Sequence, residues 1–241
     1  MKIHTFASQE ETAIGMIEKI IELITNHKED KFHVAFSGGS TPKLMFDLWV
    51  RDYKDQTPWE KLCVYLVDER CVPPQDAESN YGMMKSHLLD YVSIPENQIY
   101  RIRGEDNPVE EAKRYSNLIY KNLPKSKEGF PQFDLVLLGA GDDGHTSSIF
   151  PGQENLLKTA TLYAPSIHPQ TKQRRIALTG EPMIQAKQVY FLITGSNKAK
   201  VVADIFESNN NGPAAYVAHF SRATEIFIDE EASTELDRTH E

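Results

Sequence analysis

Cysteine is almost missing from this 241-residue chain: Cys63 and Cys71 are its two, too few for a disulfide framework. Cys63 lies in an apolar run and is expected to pack as a small hydrophobe. Long hydrophobic runs are missing too. None approaches the ~18 apolar residues of a membrane-crossing helix, and the opening MKIHTFASQEE carries no apolar stretch of the kind found in secretory signals. There is no basic excess either, since 26 Lys and Arg stand against 35 Asp and Glu, a formal net charge of −9. That balance repels nucleic-acid phosphates, so an anionic ligand would need a local pocket rather than a global field. The basic residues are scattered, with KQRR at 172–175 the densest patch. HxxxH and CxxC spacings are absent, which removes the common metal frames. So is the G-x-S-x-G elbow of serine hydrolases. GAGDDG fits the spelling of a dinucleotide loop, but it follows a later strand and puts an acidic pair where pyrophosphate would sit. With no repeat, low-complexity tract or linker visible, the expectation is one cytoplasmic domain over residues 1–241, with no metal, nucleic-acid or membrane partner.

Strand-like and helix-like segments alternate. SQEETAIGMIEKIIELITNHK places apolar residues at Ile14, Ile17, Ile21 and Ile24, and Ser8 with Glu11 has capping-box spacing, so an amphipathic helix is predicted. FHVAF follows as a strand. TPKLMFDLWVRDY reads as a helix with Thr41 as N-cap and Pro42 in the first turn. LCVYLV is a strand and SNYGMMKSHLLDYV a helix opening at Ser79; a further helix is expected near Val109–Asn122, then the strand DLVLL. Later strands are predicted at RRIALT, QVYFLIT and EIFID, with helices at PMIQAK and SNKAKVVADIFES. Such alternation implies an α/β fold: an open, mostly parallel sheet with helices on both faces, Rossmann-like and doubly wound.

In sheets of this kind ligands bind beyond the carboxyl ends of the strands. Four such ends are chemically unusual: FSGGSTP, VDERCVP, GAGDDGH and TGSNKAK. All four are expected to face one crevice. In the first, Gly38 and Gly39 let the backbone approach a ligand, and the Ser40 and Thr41 hydroxyls join free helix N–H groups in an anion cradle. In the last, Ser196 is expected to cap a helix whose first turn holds Lys198, a position that opposes the helix dipole and so suggests an anionic partner. Arg175 is a candidate phosphate fork; Arg174 would face the other way along the strand, and alternation alone leaves open which of the two enters. In VDER, Asp68 and Arg70 share a side and Glu69 faces away. Arg70 suits an oxyanion or a phosphate; Asp68 suits sugar hydroxyls or a base. In GAGDDGH, Asp143 flanks His145 across Gly144, so that a carboxylate can orient an imidazole. His145 is the candidate general base.

FSGGSTPKLMFDLW, LVDERCVPPQDAESNYGMMKSHLL, GAGDDGHTSSIFPG and RRIALTGEPMIQAKQVYFLITGSNKAKVV resemble, in order and over nearly the whole chain, the 6-phosphogluconolactonase family, within the superfamily that also contains glucosamine-6-phosphate deaminase. The resemblance implies hydrolysis of 6-phospho-D-glucono-1,5-lactone to 6-phosphogluconate, the second step of the oxidative pentose phosphate pathway, with no cofactor and a phosphorylated sugar lactone as the small-molecule partner. It implies that Gly38 to Thr41, Lys198 and Arg175 hold the phosphate, that His145 with Asp143 activates water, that Arg70 or backbone N–H groups hold the oxyanion, and that Asp68 and Asn80 hold sugar hydroxyls. Ala140 departs from the methionine usual between the first two glycines. The TSSIFPG tail keeps the lactonase form, where the deaminase branch has an Asn-Glu-Pro signature, and DER replaces that branch's Asp-Glu-Tyr. Two other readings compete: an amino-sugar-phosphate deaminase, and a non-catalytic sugar-phosphate sensor. The sensor would require an output module, for which one α/β domain leaves no room.

Overall fold

A computed structural model describes residues 1–206 and 212–236. The elements run β1 (Lys2–Phe6), α1 (Gln9–Asn26), β2 (Phe32–Phe36), α2 (Ser40–Leu48), β3 (Leu62–Leu66), β4 (Asp68–Arg70), α3 (Asn80–His87), α4 (Pro108–Asn122), β5 (Leu135–Leu138), β6 (Tyr163–Ile167), β7 (Arg174–Leu178), α5 (Gly180–Ile184), β8 (Gln188–Ile193), α6 (Ala199–Phe206), α7 (Pro213–Phe220), β9 (Thr224–Asp229) and α8 (Glu230–Ser233). Six strands form a wholly parallel sheet in the order β1-β9-β8-β5-β2-β3. From β2 the chain goes to β3 on one side and later to β5 on the other. The strand order therefore reverses between β2 and β5, the switch point at which such sheets open a crevice. Strands β3 and β5 are buried along their whole length, as a parallel sheet covered on both faces requires.

The helix predicted from the first amphipathic stretch is α1. Ser8 caps it by accepting from the Glu11 N–H at 3.2 Å, while the Glu11 carboxylate turns back to the Ala7 N–H at 3.3 Å. Its buried stripe runs through Ala13, Met16, Ile17, Ile20 and Ile24, leaving Ile14 and Ile21 only half-buried. The cap predicted at Thr41 is corrected. Gly39 is the N-cap of α2, with φ 110° and no side-chain cap bond, and Ser40 and Thr41 are already helical. That φ lies in the left-handed region where glycine escapes the Cβ penalty. Ser196 likewise gives way to Gly195 as the residue preceding a 3-10 turn, Ser196–Lys198, that leads into α6. Glu207 and Ser208, the last residues of the helix expected there, lie outside the described residues.

The larger correction concerns VDER and RRIALT. They do not extend the parallel sheet. Asp68–Arg70 and Arg174–Leu178 pair antiparallel and, with β6, make a second sheet of order β4-β7-β6. The chain crosses from one sheet to the other between Leu66 and Asp68, where both backbone groups of Leu66 need partners outside the parallel ladder. Two buried tyrosines supply them: Tyr163 Oη donates to Leu66 O at 2.6 Å, and Tyr115 Oη accepts from Leu66 N at 3.2 Å. Burial holds both phenols well above their usual pKa, so each keeps its proton.

Candidate active site

The four unusual strand ends do meet. They line a crevice of about 250 Å³ at the carboxyl end of the parallel sheet, bounded on one side by β4 and β7. One wall is Gly38, Gly39, Ser40 and Thr41; another is Asp68, Arg70 and Asn80; His145, Arg175 and Lys198 complete it. Of the residues expected at the site, Asp143 alone does not line it; it is exposed and reaches the site through His145. Arg175 is half-buried and enters, whereas Arg174 is exposed, which settles the strand's parity. Ser147 and Thr194 also line the space and were not singled out from the sequence.

The glycine-rich run after β5 folds into a tight turn. Gly144 N donates to Gly141 O and Gly141 N to His145 O, both at 2.9 Å, and the Ala214 N–H of α7 holds Gly144 O at 3.0 Å. This closure sets the His145 ring directly over Gly141: a Cβ at that position would lie 2.1 Å from Nδ1. Asp143 Oδ1 sits 2.6 Å from His145 Nδ1 and also accepts the His145 backbone N–H at 3.2 Å. A carboxylate only accepts, so in the neutral ring Nδ1 carries the proton and Nε2 keeps its lone pair. Burial opposes ionisation of Asp143, but the charge and hydrogen bonds of His145 outweigh it and hold the carboxyl below its usual range. Phe150 backs the imidazole, its ring centre 4.6 Å away.

The cradle opposite is equally specific. With no side chain capping α2, its first N–H groups are free for an anion. Gly38 is packed under Asn80, whose Oδ1 would lie 2.0 Å from an added Cβ. Asn80 Nδ2 donates to Asp68 O at 3.0 Å and to Asp68 Oδ1 at 3.4 Å. Lys198 Nζ donates to Ala140 O at 2.9 Å and pairs with Asp142 Oδ1 at 2.5 Å, so Asp142, which sequence reasoning passed over, shares its charge. The Lys198 hydrogen bond holds the Asp142 carboxyl below its usual range.

Arg70 and Arg175 face each other across β4 and β7. Arg70 Nη1 donates to Glu78 O, yet the Nε atoms of both arginines are buried without a partner. Burial, then the neighbouring Arg70, lowers the pKa of Arg175, and Asp68 opposes this. Two guanidinium groups held side by side with unspent donors suit an anion. Glu69, on the other side of β4, is fully buried and structural. It accepts from Arg70 N at 2.8 Å, Asn80 N at 2.7 Å, Tyr81 N at 2.8 Å and Ser79 Oγ at 3.0 Å, which fastens the start of α3 to the strand carrying Asp68 and Arg70. Among the described residues no group of three or more His, Cys, Asp or Glu side chains is arranged to hold a metal ion, and no helix is long and apolar enough to cross a membrane.

The family model for glucosamine-6-phosphate isomerases/6-phosphogluconolactonase matches residues 7–226. The 6-phosphogluconolactonase of Haemophilus influenzae is 37% identical over 227 residues, 92% of this chain and 95% of that one. That of Treponema pallidum is 40% identical over 172 residues, 71% of each chain. The solved structure of 6-phosphogluconolactonase from Trypanosoma brucei superimposes with a TM-score of 0.87 at 28% identity, covering 98% of both chains. On this evidence of sequence and backbone alike, the chain belongs to the glucosamine-6-phosphate isomerase/6-phosphogluconolactonase family.

Proposed function

We propose that this protein is a 6-phosphogluconolactonase, hydrolysing 6-phospho-D-glucono-1,5-lactone to 6-phospho-D-gluconate in the oxidative pentose phosphate pathway. The observation that carries the reading is the meeting, in one crevice, of an uncapped helix start and cationic side chains with a histidine whose Nδ1 is held by Asp143. The 6-phosphate rests on the N–H groups and hydroxyls of Gly38 to Thr41, with Lys198 and Arg175 supplying charge. That grip fixes the lactone carbonyl near His145 and turns binding energy into orientation. His145 Nε2 takes a proton from water as its oxygen bonds to C1. Arg70 or backbone N–H groups stabilise the resulting oxyanion. Collapse breaks the bond from C1 to the ring oxygen, and the imidazolium returns its proton to that oxygen. The free acid then ionises, releasing one proton to solution. Asp68 and Asn80 hold sugar hydroxyls. No step calls on a cofactor.

An amino-sugar deaminase finds less support, because that branch's Asn-Glu-Pro signature is absent: Phe150, whose ring packs on His145, is followed here by Pro151 and Gly152. We also place residues 1–241 in one domain and the protein in the cytoplasm, a reading supported by two free thiols; the net charge of −9 weighs against nucleic-acid partners. The test is to generate the lactone in situ and follow acid release above its spontaneous hydrolysis, with glucosamine 6-phosphate assayed in parallel for ammonia. Acid without ammonia is expected, and H145A should lower kcat by about 10²- to 10⁴-fold. Ammonia release, or no acceleration of lactone loss, would overturn the assignment.

A further inference from the structure

Resting on that reading of the crevice as a sugar-phosphate site, one further residue acquires a role. In the antiparallel register Asp68 stands opposite Ala177 and Arg70 opposite Arg175. Residues two apart on a strand share a face, so Arg175 has a guanidinium directly across from it and a carboxylate on the diagonal. Diagonal neighbours lie within reach of a side chain as long as arginine. Arg70 repels Arg175 and Asp68 attracts it, so a direct Arg175–Asp68 ion pair is the arrangement that electrostatics favours. Among the described residues that pair does not form. The Ser148 hydroxyl lies between the two groups, fully buried, donating to Asp68 Oδ2 and accepting from Arg175 Nη1 at 3.5 Å. The other carboxylate oxygen of Asp68 accepts from Asn80, and Arg175 Nε is left buried with no partner.

We propose that Ser148 is a positioning residue that keeps Asp68 and Arg175 from pairing with each other, so that the carboxylate and the guanidinium are both presented to the phosphorylated sugar. Its single proton occupies Asp68 Oδ2, the oxygen it bridges to Arg175, and its volume holds the guanidinium back. Without it the two charges close on each other, and a ligand must first separate them.

The test is calorimetric binding of 6-phosphogluconate to wild type, R175A, D68N, S148A and the double variant S148A/D68N. S148A should weaken binding about tenfold, within the range for side chains sharing one network. In the D68N background the same replacement should change Kd by less than about twofold, because no carboxylate remains to capture Arg175. In turnover S148A should raise KM while leaving kcat within about threefold, since the His145–Asp143 pair is untouched; a hydroxyl needed only for stability would lower the melting temperature without this split. If S148A does not fold, Ser148→Cys supplies similar volume with a weak donor, and the same direction is expected. An S148A effect that persists undiminished in D68N, or an S148A Kd within about twofold of wild type while R175A binds weakly, overturns the spacer role. Wild-type protein that fails to bind 6-phosphogluconate overturns the reading of the crevice itself, and unimpaired binding by R175A removes the arginine from it; either takes this proposal down as well.

Discussion

Replacing Gly141 with alanine should disable the site without unfolding the protein. An added Cβ would lie 2.1 Å from His145 Nδ1, 2.2 Å from Cε1 and 2.7 Å from Asp143 Oδ1. Ordinary contact begins near 3.4 Å, so the imidazole must retreat by about 1.3 Å, the difference between that distance and 2.1 Å. The ring can yield because its side chain is 29% exposed, and the backbone can stay because Gly141 is not among the residues with positive φ. The strain should therefore be relieved by moving His145 off Asp143. A misplacement of about 1 Å costs roughly 10²-fold, or about 2.7 kcal/mol of transition-state stabilisation. The assay is initial acid release from lactone generated in situ, alongside the thermal midpoint. A kcat reduced about 10²-fold, with a melting temperature within about 2 °C of wild type, is expected. G141A combined with H145A should be no slower than H145A alone, because both act through one ring. Near-normal turnover by G141A would show that the reaction does not use His145 where the structure holds it.

Two further outcomes follow from the charges around the crevice. Glu69→Gln leaves one acceptor oxygen and a new donor facing the Arg70, Asn80 and Tyr81 N–H groups and the Ser79 hydroxyl, so it should cost about 3 kcal/mol in urea unfolding; a loss under about 0.5 kcal/mol would mean the carboxylate does not anchor α3. Because His145 holds the Asp143 carboxyl below its usual value against the effect of burial, this group contributes stability above the unfolded aspartate pKa of about 3.9, a contribution lost as pH falls through the lowered folded value. The stability gap between wild type and D143N should accordingly be present above that unfolded pKa and narrow in acid. Denaturant midpoints measured across that range check it, and a gap that widens in acid would contradict the sign.

Residues close together in the chain made much of this architecture legible in advance. The caps at Ser8 and Ser79, the apolar runs of β2, β3, β5 and β8, and the glycine-rich strand ends are local arrangements of propensity, polarity and backbone freedom, and they act over a few residues. That was enough to place Ser40, Asp68, His145 and Lys198 at one end of a parallel sheet. What it left out depends on partners far away in the chain. VDER leaves the parallel sheet because β7, more than a hundred residues later, offers an antiparallel edge, and Leu66 can leave its ladder because Tyr115 and Tyr163 meet its backbone. Ser148 touches Asp68 across 80 residues, and Lys198 finds Ala140 across 58. No local pattern encodes such a meeting. A hydroxyl or carboxylate has many possible partners within reach of its chemistry, and only the packed sheet leaves it one. Sequence alone thus indicated most of the chemical groups that gather at the crevice; tertiary structure added the rest and decided which are spent on each other and which stay free for a ligand.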